Sequence, residues 1–361
     1  MTMKKVLMVA GEASADRHAA AVIRSLKSLV PDVEIFGMGG PEMASAGMEC
    51  CYGMDEFSVM GFSDVLPRLK RIFEVYRGIK DLIRERRPDI VVPVDLPDFN
   101  MRISHAAKKH RTKVLYYIAP QAWAWRSGRA RTLSAITDGL AVIFPFEEDF
   151  FRSYGVDARF VGHPLLENPP DVFEVDWPPQ KIALLPGSRY HEVKRLLPIM
   201  LGAKRIVQER YPDITWHLPV APGLDAAVLK EMADKDVVVS DTLARVDLAM
   251  VKSGTSSFEM AILGVPEIIC YETSTFNYLL AKAFVRLEHI GMPNIILGKP
   301  VVEELIQDNL TEESLARSLM GFIEDEARHD VLLDAYSQIR DIMGSLKASQ
   351  GVAHWIQALT Q

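Results

Sequence analysis

Ser253, Gly254 and Thr255 stand between an apolar run, Leu248 to Val251, and a short helical stretch that carries Glu259 before Gly264 and Pro266 stop it. A strand, a small polar turn and a helix in this order suit an anionic group. The free amides at a helix start, with the positive end of its dipole, attract a pyrophosphate, and a glycine leaves room for close approach. Glu259, one turn further, could accept hydrogen bonds from ribose hydroxyls. The competing reading is local: Ser256 to Glu259 also fits the S-x-x-E capping box, in which the glutamate only satisfies the helix start. Upstream, the apolar run Ile182 to Leu185 leads into Pro186-Gly187-Ser188-Arg189, with Glu192 and Arg195 beyond. Arginine clamps phosphate with a planar fork of donors, although an exposed Arg189 could equally serve a surface salt bridge.

The first half offers carboxylates. Val91-Val92-Pro93-Val94 ends in Asp95-Leu96-Pro97-Asp98-Phe99-Asn100, so Asp95 or Asp98 could take a proton from a hydroxyl as general base. An Asp-Pro loop that merely caps the next helix is the alternative. Neither has the further carboxylate or histidine partners that would hold a metal ion. Another polar loop, Gly11-Glu12-Ala13-Ser14, precedes a helix but lacks the GxGxxG pattern of dinucleotide sites. His163, in Gly162-His163-Pro164, reads as a structural hinge residue. Trp123 and Trp125, followed by Arg126, could line a site or pack beneath one.

These segments must be positioned by the elements around them. Short runs that are apolar throughout recur from Val6 to Tyr271 with helix-period stretches between, the pattern of parallel sheets covered on both faces. The fold class is therefore α/β: two doubly wound domains facing across a cleft, with ligands at the carboxyl ends of the strands. The expected division is residues 1–165, a proline-rich linker at 166–180, a second domain at 181–327, and helices at 328–361. The apolar stripe of that tail must pack on the first domain or on another subunit, so a homodimer is left open.

Composition narrows the partners. The chain has 361 residues, 48% of them hydrophobic, with 41 basic against 48 acidic side chains and a net charge of −7, so nothing suggests nucleic acid. Three cysteines, Cys50, Cys51 and Cys270, make no disulfide framework and point to a reducing, cytoplasmic setting. The apolar run after Lys4 and Lys5 ends too early for a signal peptide and reads as a buried strand. No stretch approaches the ~20 apolar residues of a membrane span. One region is nonetheless apolar and cationic: Phe57, Met60 and Phe62 lead into a helix bearing Arg68, Lys70, Arg71, Arg77, Lys80 and Arg84. That patch suits the surface of an anionic bilayer, or else it is a core helix with solvated arginines.

Taken together, Gly11-Glu12-Ala13-Ser14, Phe36 to Pro41, Ser58 to Phe62, Asp95 to Asn100, Trp123 to Arg126, Val161 to Pro164, Leu185 to Arg189, Ser253 to Thr255 with Glu259, and Pro293-Asn294 resemble the lipid-A-disaccharide synthases over nearly the whole chain. The resemblance implies a GT-B fold and an inverting, metal-independent glycosyltransferase with no cofactor, peripheral on the inner face of a Gram-negative inner membrane. It implies transfer of diacylglucosamine from UDP-2,3-diacylglucosamine to 2,3-diacylglucosamine 1-phosphate (lipid X), releasing UDP. By position, Asp98 matches the family's proposed general base. Arg189, Ser253, Gly254, Thr255, Glu259 and Asn294 fall in the donor motifs, and Glu12, Ser14, Asp95 and Asn100 on the acceptor side. Two other readings fit the Ser-Gly-Thr and Glu motif alone: a UDP-N-acetylglucosamine epimerase of related fold, or a non-catalytic binder of lipid or nucleotide. The chain departs from the family at Ala15, where glycine is usual, and at His18, where the family has a small residue. If that glycine has positive φ, Ala15 should strain the loop by about 1 kcal/mol.

Overall fold

The computed structural model describes residues 4–54, 65–125, 127–274 and 288–361, with the side chains of 65–69 outside the description. Phe57, Met60, Phe62 and the side chain of Arg68 therefore lie outside the described residues. The chain divides into two units, Met1–Asn168 with Met343–Gln361, and Pro169–Ile342.

Among the described residues, the first unit is built on seven parallel strands: β1 (Lys5–Val9), β2 (Glu34–Gly39), β3 (Glu49–Gly53), β4 (Ile90–Pro93), β5 (Lys113–Tyr117), β6 (Gly139–Val142) and β7 (Ala158–Phe160). Their order is β3-β2-β1-β4-β5-β6-β7. The strands are apolar throughout because both faces are covered. Val6 and Met8 pack into one core with α1 (Ala13–Leu29), while Leu7 and Val9 pack into another with α3 (Val65–Arg86) and α4 (Pro97–Lys109). Chain direction reverses between β1 and β4, so the loops leaving these two strands splay apart and open a crevice. Helices α2 (Pro41–Ser45), α5 (Gly128–Ile136) and α6 (Pro145–Arg152) also cover this sheet's connections among the described residues.

The second unit repeats the plan with β8 (Lys181–Leu185), β9 (Thr215–Pro219), β10 (Val237–Ser240), β11 (Leu248–Lys252), β12 (Glu267–Tyr271) and β13 (Glu304–Ile306), ordered β10-β9-β8-β11-β12-β13 and all parallel. Among the described residues its helices are α7 (Tyr190–Arg210), α8 (Ala226–Met232), α9 (Thr255–Leu263), α10 (Met292–Leu297), α11 (Glu312–Glu324) and α12 (Glu326–Met343). Its reversal lies between β8 and β11.

Two boundaries differ from expectation. From Pro169 onward the proline-rich stretch is part of the second unit. Phe173 N donates to Leu263 O at 2.7 Å, and the amides of Asp176, Gln180 and Lys181 all donate to the buried Asp247 carboxylate. The tail also divides later than residue 328. Helix α12 stays with the second unit through Ile342, and only α13 (Ala348–Leu359) joins the first, where Val352, Trp355 and Ile356 enter the core beside α1. Hydrogen bonds from Ser349 to Glu167 and Ser25 fasten its start. No helix among the described residues is long and apolar enough to cross a membrane.

Candidate active site

The second unit collects cations and two helix starts at its β8/β11 reversal. Gly187, leaving β8, has φ +117, and a Cβ there would lie 2.4 Å from Glu192 Oε2, so only glycine allows the carboxylate to fold back over the turn. Glu192 accepts from Ser188 N at 3.1 Å and lies 3.1 Å from Lys252 Nζ at the end of β11. Burial opposes ionisation of Glu192, but Lys252, the Ser188 amide and Arg189 outweigh it and hold the carboxyl below its ordinary value. Arg189 is the N-cap residue of α7 and points mostly into solvent, 4.0 Å from Glu192.

Gly254 is the N-cap of α9, with φ 151 and ψ −152, a conformation closed to side chains. Neither N-cap residue, Arg189 of α7 or Gly254 of α9, makes a side-chain capping hydrogen bond, so two positive helix ends lie at the same reversal. The alternative capping box does not form. Helix α9 starts one residue before Ser256, which leaves Glu259 half-buried in its second turn and not at the third helical position that the box requires. Ser253 donates through Oγ to Ile290 O at 2.8 Å and through its amide to Cys270 O at 3.0 Å. Thr255 is exposed.

Asn294, expected among the donor residues, is engaged by its own neighbours. It borders a cavity of about 600 Å³ shared with His289, Glu303, Glu304 and Arg328, but it is 0% exposed and its amide is fully used. Nδ2 donates to Val302 O and Glu304 Oε1, and Oδ1 accepts from Val301 N and Val302 N, all at 2.8 Å. An amide has two donor hydrogens and two acceptor lone pairs, so none is left for a ligand. Its work is to hold Glu304, which in turn accepts from the amides of Ile290 and Gly291.

The first unit places carboxylates at its β1/β4 reversal. Glu12 is the exposed N-cap residue of α1, with the half-buried Ser14 in the first turn. Asp95 follows β4 with φ 51, and Leu96 continues at φ 50. Two successive non-glycine residues in the left-handed region cost ~1 kcal/mol or more each, a strain that clusters at working sites. Hydrogen bonds hold them there: Asp95 O accepts from Asn100 Nδ2 and Tyr116 OH, both at 2.7 Å, and Asp95 N donates to Tyr117 O at 3.0 Å. Burial first, and the Glu12 carboxylate second, raise the Asp95 carboxyl above its ordinary value, against the Leu96 amide.

Asn100 lies beneath this turn at 0% exposure. Its Nδ2 also reaches Val9 O and Val94 O, tying the ends of β1 and β4 together, while its Oδ1 has no partner among the described residues. Asp98 occupies a different environment. In the first turn of α4 its side chain is 84% exposed, and it is paired with Arg129 of α5 at 2.5 Å. Arg71 is exposed and paired with Glu74.

Both family departures have structural answers. Ala15 is a buried helical residue of α1 without positive φ, so the expected strain does not arise. His18 sits near His163. Burial, then Arg17, lowers His18 to about 4, and burial, then His18, lowers His163 to about 3, so both rings are neutral near pH 7. Trp123 donates to Glu147, which caps α6, so it packs beneath the surface, whereas Trp125 is exposed against Arg129. Lys252 and Glu192 are the pair that sequence reasoning failed to single out. The available signal was a lysine at the last position of a buried strand.

A sequence profile described as lipid-A-disaccharide synthetase matches residues 6–350. The lipid-A-disaccharide synthase of Anaeromyxobacter sp. (strain K) is 38% identical over 97% of this chain and 96% of its own length. Among solved structures, UDP-GlcNAc 2-epimerase from Neisseria meningitidis, bound to UDP-GlcNAc, superposes with TM-score 0.66 at 12% identity, covering 98% of this chain and 100% of that one. Acinetobacter baumannii MurG gives TM-score 0.58 at 14% identity over 98% and 99%. At such identities the solved structures share the two-domain glycosyltransferase architecture and nothing finer, whereas the sequence relationship spans both units and both reversals: the chain belongs to the lipid-A-disaccharide synthase family.

Proposed function

We propose that this glycosyltransferase of lipid A biosynthesis moves diacylglucosamine from UDP-2,3-diacylglucosamine to the 6-hydroxyl of 2,3-diacylglucosamine 1-phosphate, forming a β-1,6 disaccharide and releasing UDP. The observation that carries the reading is the opposite chemistry of the two reversals. One gathers Arg189 and the starts of α7 and α9, which suit a diphosphate. The other gathers Glu12, Asp95 and Asp98, which suit a hydroxyl that must lose its proton.

Of the carboxylates, Asp95 is the better general base. Its raised affinity for a proton and its place in a strained turn at the strand end favour it, whereas Asp98 is open to water with its charge already matched by Arg129. Asp98 and Arg129 then orient the acceptor. Ser253 shapes the turn that receives the diphosphate, and Glu259 holds the ribose. A surface on α3 supports a peripheral position on anionic bilayers. Phe73 is exposed with Arg77 stacked 4.3 Å above it, and Arg77, Lys80, Arg84 and His110 line a hollow of about 380 Å³ with Asp81.

The test is product mass spectrometry with donor alone, acceptor alone and both. The expected result is UDP and the disaccharide only when both are present. Conversion of UDP-N-acetylglucosamine without acceptor would instead indicate an epimerase, and binding without release would indicate a non-catalytic protein.

A further inference from the structure

Lys252 is the last residue of β11, where a side chain leaves the sheet at its carboxyl end. It is about one-quarter exposed, and its ammonium lies 3.9 Å from the position a Cβ would take on Gly254. The amine therefore hangs over the start of α9. Among the described residues Glu192 is its only ion-pair partner, and that one carboxylate is already shared with the Ser188 amide and, more distantly, with Arg189. Glu192 thus faces two cations, Lys252 at 3.1 Å and Arg189 at 4.0 Å. An ammonium carries three donors, so Lys252 can keep Glu192 and still offer hydrogen bonds to a ligand.

We propose that Lys252 grips the diphosphate of the sugar nucleotide and stabilises it as it leaves, with Glu192 as the positioning residue that aims it. This rests on the functional reading above and extends it to a residue that reading had not required. As the bond between the sugar C1 and the β-phosphate oxygen breaks, its electron pair stays on that oxygen and the diphosphate gains one negative charge. The acceptor oxygen forms the new bond to C1 and loses its proton to the carboxylate of the first unit. A cation already fixed at the departing oxygen meets the new charge without reorganisation, so it stabilises the transition state more than the bound substrate.

The experiment compares UDP and uridine binding to the full-length chain, by ligand-observed NMR, for the wild type, Lys252→Met and Lys252→Arg, with donor kcat and KM measured in parallel. Loss of a charge-assisted hydrogen bond predicts UDP binding weaker by about 10- to 100-fold in Lys252→Met, with uridine unchanged, and a fall in kcat larger than the rise in KM. Lys252→Arg, which keeps the charge, should recover most of the UDP affinity. Equal losses for UDP and uridine, or a lowered melting temperature with UDP affinity intact, would show that Lys252 only braces Glu192. If the wild type itself does not prefer UDP to uridine, the diphosphate reading of the whole turn fails, and the assignment of Lys252 fails with it.

Discussion

Replacing Asn294 by alanine separates a scaffold residue from a ligand-binding one. The substitution removes four hydrogen bonds of 2.8 Å at a position with no solvent exposure. It strands the amides of Val301 and Val302 and the carbonyl of Val302, and takes one donor from the Glu304 carboxylate. At about 1 kcal/mol for each bond, with more where a buried partner is left bare, the loss comes to roughly 3–5 kcal/mol. For a domain of this size, each kcal/mol lowers the melting temperature by about 2–4 °C, so the second unit should melt roughly 10 °C or more below the wild type. UDP affinity measured well below that transition should fall by less than about tenfold, because Asn294 has no hydrogen bond left to give and acts only through the Glu304, Ile290 and Ser253 chain of contacts. Thermal unfolding followed by circular dichroism, with isothermal titration of UDP on the same samples, measures both quantities. A melting temperature within ~2 °C of wild type together with a hundredfold loss of UDP affinity would refute the reasoning.

Asp95→Asn should lower turnover by about 10²–10⁴ with UDP binding intact, while Asp98→Asn costs less than about tenfold; the opposite ranking in initial rates moves the base to Asp98. Glu259→Gln should weaken UDP binding with little change in melting temperature, since Glu259 lies in the second turn of α9 and not at the third helical position of a capping box; a destabilised variant with normal UDP affinity contradicts this. Glu267 is fully buried with Tyr336 OH 3.4 Å from Oε1, and burial raises its carboxyl well above the ordinary value against that hydrogen bond. A group whose proton affinity rises on folding stabilises below its unfolded pKa and loses that contribution as pH climbs through the folded one. Glu267→Gln should therefore gain stability relative to wild type as pH is raised from 5 to 8 in denaturant titrations, and a constant difference would show that the carboxyl is not held protonated.

The two parallel sheets were legible because strands buried on both faces are apolar without alternation, and the glycine turns marked where each sheet hands over to a helix. The Ser253–Thr255 turn was legible as a turn between a buried strand and a helix, but its distinction from a capping box was not. That depends on whether the helix begins at Thr255 or Ser257, a shift of two residues that composition does not resolve. The different surroundings of Asp95 and Asp98 were hidden for a similar reason. Pro97 starts α4, which turns Asp98 outward toward Arg129 and leaves Asp95 in the turn behind it. Lys252 and Glu192 are distant in the chain and meet only because β8 and β11 are neighbours. Asn294 stood out only through a motif, and a pattern of residues does not reveal that its amide is saturated by Val301, Val302 and Glu304.

Hydrogen exchange with and without UDP bears most directly on the central claim, that the donor diphosphate sits at the β8/β11 reversal and the carboxylates of the first unit serve the other substrate. The expected result is slowed amide exchange in residues 187–193 and 252–258, where α7 and α9 begin, with residues 94–100 unchanged. UDP-dependent protection at 12–18 or 94–100, with none in the second unit, would contradict it.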